Sequence, residues 1–103
     1  MNSPPAVREG DLAIVRRILD AHLPKEAIVW VFGSRARGTV KRAADLDLAI
    51  DAGRALTRRE SGALADAFED SDLPYGVDVV DVHSVTDGFL AIIEKDRVAL
   101  RRD

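Results

Sequence analysis

No cysteine occurs anywhere in the 103 residues. That absence removes disulfide frameworks and thiolate metal sites from consideration, and it fits a reducing, cytoplasmic setting. No apolar run approaches the roughly 20 residues needed to cross a bilayer, and the start MNSPPAVREG lacks the apolar centre of a signal peptide. An excess of positive charge is lacking too, since 18 acidic residues outnumber 15 basic ones for a formal charge of −3. A whole-chain field of that sign argues against strong non-specific nucleic-acid binding. There is no internal repeat, linker or low-complexity tract. The expectation is one cytoplasmic domain over residues 1–103, with no room for a separate substrate-binding module and no membrane association.

What is present alternates between helical and strand patterns. Residues 1–9, with Pro4 and Pro5, read as a flexible lead-in. Leu12, Val15, Ile18, Leu19 and Leu23 recur at helical spacing, so an amphipathic helix runs from Asp11 to about Leu23 and stops at Pro24. AIVWVF (27–32) is short, β-branched and aromatic, and reads as a buried strand broken by Gly33. Ser34 can cap a short helical turn through roughly Gly38. DLDLAI (45–50) is a second strand. Thr57 and Glu60 have the spacing of a capping box, opening a helix to about Glu69. DLPYG is turn chemistry, VDVVDV (77–82) a third strand, and Ser84 with Asp87 suggests a last helix carrying Phe89, Ile92 and Ile93 on one face. RVALRRD either adds an edge strand or trails off. The order α-β-α-β-α-β-α predicts an α/β (α+β) domain with helices packed on a small sheet of three to four strands. About a dozen residues separate the first two strands, too few for a full crossover, so the sheet is expected to be mixed.

Two aspartates interrupt the second strand. Asp45 and Asp47 are two apart and share one face, with Cα atoms roughly 6.6 Å apart at strand rise, while Leu46, Leu48 and Ile50 face the other way. Paired carboxylates repel and resist desolvation, and a bound cation relieves both costs. Oxygen-only donors suit Mg²⁺, with Mn²⁺ as a substitute, rather than zinc. A third acid would complete a two-ion site, and the third strand offers Asp78 and Asp81, of opposite parity. Strand direction decides which of them joins the pair, and sequence leaves both open. Asp51 shares the parity of Asp47 but lies about 13 Å along the strand, too far for the same ion.

Upstream, the strand ending in Gly33-Ser34 aims backbone N–H groups outward, and glycine permits close approach of a phosphate. Arg35 and Arg37 follow, two apart, so at most one faces a phosphate directly. Lys41 and Arg42 extend this basic connector. GSRARGTV has the glycine spacing of a P-loop but Thr39-Val40 where Lys-Ser/Thr belongs, and Arg35 stands where a Rossmann turn needs its second glycine. Both of those readings fail.

Gly33-Ser34, a second glycine, Asp45-x-Asp47 eleven residues after Ser34, and an aspartate in GVDVV together resemble the minimal nucleotidyltransferases, the shortest members of the polymerase-beta-like superfamily. The likeness covers roughly Leu12 to Lys95. It implies the nucleotidyltransferase fold, with Asp78 rather than Asp81 as the third acid. It also implies that Asp45, Asp47 and Asp78 are catalytic metal ligands and that Gly33, Ser34, Arg35 and Arg37 form the phosphate side. The implied reaction is Mg²⁺-dependent transfer of AMP from ATP to an acceptor hydroxyl. The implied partner is a small helical HEPN toxin, with this chain as antitoxin, and activity depending on that partner. A homodimer is the other way to supply the missing acceptor platform. Two rival readings are a non-catalytic nucleotide- or partner-binding module of the same fold, and the catalytic subunit of an aminoglycoside-type transferase. Ala44 stands where the family often has serine, and VALRRD lacks the family's terminal tyrosine. His22 reads as a helix-end residue, His83 as a residue that could flank the site, Trp30 as core, and Arg97, Arg101 and Arg102 as a solvated tail.

Overall fold

The computed structural model describes residues 7–37 and 45–100. Among these, α1 (Glu9–His22), β1 (Ile28–Phe32), α2 (Ser34–Arg37), β2 (Leu46–Asp51), α3 (Arg58–Glu69), β3 (Val77–Asp81), α4 (Asp87–Asp96) and β4 (Val98–Ala99) follow in chain order. The sheet order is β3-β2-β1-β4. β1 runs antiparallel to both β2 and β4, and β2 runs parallel to β3. The mixed sheet follows from connection length, since the 12-residue α3 supplies the crossover that parallel strands need. The terminal segment resolves into the short edge strand β4, held further by Leu100 N–H donating to the Val29 carbonyl at 2.9 Å.

Period-two alternation gives the sheet two different faces. Val29 and Val31, Leu46, Leu48 and Ile50, and Val77 and Val79 point toward α1 and α3, packing with Val15, Leu19, Leu64 and Phe68. Leu19, Leu46, Leu48, Ile50 and Leu64 are wholly buried there. Full burial of each such side chain contributes on the order of 1.5–3 kcal/mol. On the opposite face Trp30, Ala49 and Val80 form a row in register across three strands, and α4 covers it through Ile93. Only Ile93 of α4 turns fully inward. Phe89 and Ile92, expected on the same buried face, remain 39% and 63% exposed. Arg97, expected to be a solvated tail residue, lies 4.5 Å over the Trp30 ring. Arg101 and Arg102 lie outside the described residues, as does most of the lead-in.

Helix starts follow local chemistry. Thr57 accepts from the Glu60 N–H at 3.1 Å while Glu60 accepts from the Thr57 N–H at 2.8 Å, the expected capping box. Arg54 donates to both Glu60 oxygens at 2.8 Å, which is the main reason that carboxyl is held down at about 2. Replacing Thr57 by alanine leaves an orphan donor, so Thr57→Ala should lower unfolding free energy by about 1 kcal/mol in urea titrations, with activity unchanged. The last helix starts two residues later than Ser84 suggested. Thr86 is its N-cap, and the Ser84 hydroxyl donates to Asp81 instead. Among the described residues no helix is long and apolar enough to cross a membrane.

Candidate active site

The end of the sheet where β1 stops and β2 and β3 begin gathers the acids that the spacing singled out. The register pairs Phe32 with Asp47 and Asp47 with Asp78, so these three side chains form one row on the α4 face. Neighbouring strands are about 4.8 Å apart, which sets the spacing of the Asp47 and Asp78 backbones. Asp45, one residue before β2, is exposed and lies against Gly76, just ahead of β3. A Cβ on Gly76 would stand 3.0 Å from Asp45 Oδ1. Gly76 also accepts the Leu46 N–H at 2.9 Å, which holds the two strand starts level.

Strand direction separates the two aspartates of β3. Because β3 is parallel to β2, Asp78 comes alongside Asp47, whereas Asp81 aligns with Ile50 on the opposite face. Asp81 is occupied there: it accepts from the Leu56 N–H at 2.7 Å, the His83 N–H at 2.9 Å and the Ser84 hydroxyl at 3.0 Å. It ties together the loops that leave β2 and β3. Asp51 lies at the far end of β2, opposite Ile28, where its Oδ1 meets His83 Nε2 at 2.6 Å. That hydrogen bond first, and the Gly53 N–H second, hold the Asp51 carboxyl below the usual carboxylate range. His83 therefore belongs to the opposite end of the sheet and does not flank the acids.

The Gly33-Ser34 turn closes the row from the β1 side. Gly33 has φ +75, a left-handed conformation that strains any residue with a Cβ. An added Cβ would also collide with Asp47 Oδ2. Glycine is required here on two counts, one conformational and one steric. Ser34, partly exposed, opens the four-residue α2.

Arg35, expected on the phosphate side, stacks on an aromatic ring. It is 5% exposed, and its guanidinium lies 3.9 Å above the Tyr75 ring. Tyr75 in turn donates to Asp11 Oδ2 at 3.2 Å, joining α1 to the turn before β3. Burial, with Asp11 next, pushes the phenol up to about 12, so Tyr75 stays neutral across the physiological range. The sequence could not show this stack, because Arg35 and Tyr75 are forty residues apart. Arg35→Ala should lower stability by about 1–2 kcal/mol through the lost cation–π contact. A phosphate ligand would instead show a raised KM for nucleotide at unchanged melting temperature. The Arg37 side chain, Gly38, Lys41, Arg42 and Ala44 lie outside the described residues.

The donor set fits a hard divalent cation. All three acids offer carboxylate oxygens only, two of them side by side in register, which suits Mg²⁺ or Mn²⁺. Among the described residues no three acidic, histidine or cysteine side chains close on one point as a ready-made metal cage.

Comparison with known proteins bears on the family and the fold. Residues 15–103 match the family described as polymerase beta, nucleotidyltransferase. A probable protein adenylyltransferase MntA from Haemophilus influenzae is 39% identical over 95 residues, covering 92% of this chain and 82% of that protein. A crystal structure of a toxin–antitoxin with AMP-PNP superposes with a TM-score of 0.75 at 26% identity, over 90% of this chain and 74% of that one. A tri-AMPylated Shewanella oneidensis HEPN toxin in complex with its MNT antitoxin matches with a TM-score of 0.65 at 21% identity, over 89% of this chain and 73% of that one, a likeness of fold.

Proposed function

The chain belongs to the polymerase beta nucleotidyltransferase family, and we propose that it transfers AMP from ATP to a hydroxyl on a HEPN-type partner protein. In this reading it is the antitoxin of a cytoplasmic toxin–antitoxin pair. The observation that carries the reading is the row of Asp47 beside Asp78, with Asp45 adjoining and the glycine turn pressed against Asp47. A purely adhesive domain has no use for two aspartates paired in register at one sheet end with a third adjoining. The relative named as a protein adenylyltransferase and the solved toxin–antitoxin relative with AMP-PNP support the nucleotide and the partner class.

Asp45, Asp47 and Asp78 would hold Mg²⁺, which would offset the triphosphate charge and make the acceptor hydroxyl easier to deprotonate. The Gly33-Ser34 turn would receive the β- and γ-phosphates, with the Ser34 hydroxyl as an added donor. The acceptor oxygen forms a bond to the α-phosphorus, and the bond from that phosphorus to the bridging oxygen breaks. Pyrophosphate leaves with the electron pair. The hydroxyl proton passes to the Asp78 carboxylate and from there to water. Positioning and charge complementarity supply most of the rate, as in phosphoryl transfer generally.

The test is incubation of the purified chain with ATP, Mg²⁺ and its cognate HEPN protein, followed by intact-mass analysis. A partner heavier by whole AMP units is the expected result. No mass gain with ATP or any other nucleoside triphosphate would overturn the reading.

A further inference from the structure

The strand ladder stops short of half the site. The pairing of β1 with β2 ends at Phe32 and Asp47, and that of β2 with β3 begins at Leu46 and Val77. Gly33, Ser34 and Asp45 lie beyond these pairs, so ladder hydrogen bonds do not fix how far the phosphate turn stands from Asp45. The end of β1 and the start of β3 are not neighbours either, because β2 lies between them. Two strand spacings separate them, about 10 Å.

A side-chain contact crosses that gap. The Arg35 guanidinium lies 3.9 Å above the Tyr75 ring. Arg35 directly follows Ser34, and Tyr75 directly precedes Gly76, the residue against Asp45. We propose that Arg35 and Tyr75 are positioning residues for the transfer, their stack setting the span between the phosphate turn and Asp45. The proposal rests on the transferase reading and adds to it two residues that act through their chain neighbours.

The chemistry of the stack suits that role. Burying a guanidinium is costly, and the ring face offsets part of the cost. An apolar side chain anchors α2 without it, as the neighbouring Ala36 does. What the guanidinium adds is a flat surface that stacks in one orientation, fixing an angle as well as a distance. A helix of four residues is too short to hold its own geometry, so α2 needs an outside reference. Tyr75 supplies one, because its hydroxyl donates to Asp11 in the first turn of α1, and α1 is packed into the core through Val15 and Leu19. The acids and the turn hold different parts of the nucleotide. An error in their span therefore misplaces the reacting phosphorus while each half still binds.

The experiment compares wild type with Tyr75→Leu, Tyr75→Phe, Arg35→Lys and Gly53→Ala. Transfer to the HEPN protein gives kcat and the KM for ATP. Hydrogen exchange of the nucleotide-free chain reads the opening of residues 33–37. Tyr75→Leu removes the ring without altering the turn. It should lower kcat about tenfold, keep the KM for ATP within about twofold and speed exchange at 33–37 about tenfold. Tyr75→Phe keeps the ring and should hold kcat within about threefold of wild type. Arg35→Lys keeps the charge and loses the flat stack, so kcat should fall by about threefold or more, a test that stands even if Tyr75→Leu does not fold. Gly53→Ala strains the backbone at a distant turn and should change neither kcat nor exchange at 33–37. Wild-type kcat in folded Tyr75→Leu or Arg35→Lys would overturn the proposal. A raised KM at unchanged kcat would overturn it too, by making Arg35 a nucleotide contact, as would an equal kcat loss in Gly53→Ala. A wild-type chain that never modifies the partner, with exchange at 33–37 still faster in Tyr75→Leu, would instead defeat the transferase reading and leave the tie between turn and acid standing.

Discussion

Asp47→Asn should abolish Mg²⁺-dependent transfer, reducing it by about 100-fold or more, while the melting temperature stays within a few degrees of wild type. Asp47 is the middle of the row, flanked by Phe32 and Asp78 in register and by the Gly33 turn. The amide keeps the shape of the side chain and removes its charge, so packing around Ala49 and Phe32 is undisturbed. Circular dichroism and thermal melts establish the fold, and mass analysis of the partner establishes transfer. Full activity in the variant would remove Asp47 from the metal-holding set.

Gly33→Ala should be the other strongly inactivating change, and it differs because stability falls too. A residue with a Cβ at φ +75 costs about 1–2 kcal/mol of backbone strain. The same Cβ collides with Asp47 Oδ2, so either the carboxylate or the turn must shift. A displacement of about 1 Å at a positioned group costs on the order of 100-fold in rate. Gly53→Ala is the matched control. Gly53 has φ +81, but an added Cβ there meets nothing within 4 Å. It should lose the same 1–2 kcal/mol, approximately, and keep its activity. Equal activity losses in the two variants would mean that strain, not the approach to Asp47, is what Gly33 contributes.

Much of this could be read along the chain because the signals were local. The apolar spacing of α1, the Thr57–Glu60 capping box and the β-branched run of β1 each lie within one element. The Asp45–Asp47 pair is visible for the same reason, since strand parity needs only adjacent residues. Local reading runs out where contacts cross the fold. Arg35 belongs to a basic run in sequence, yet the Tyr75 ring draws it into the interior. His83 follows the same strand as Asp78, yet it lies at the strand's other end, where Asp51 binds it. Ser84 has the composition of a cap, but Asp81 competes for its hydroxyl and Thr86 takes the cap.

By itself the sequence determined the elements, the single-faced acid pair and the glycine turn that precedes it, because periodicity and turn chemistry act over a few residues. Only the tertiary structure decided between Asp78 and Asp81. That choice depends on β3 running parallel to β2, and strand direction is set by how α3 returns the chain across the sheet, not by any residue within VDVVD. The same parallel pairing put Gly76 against Asp45. Relations between distant strands are fixed by packing of the whole sheet against α1 and α3, so no window of sequence short enough to read locally contains them.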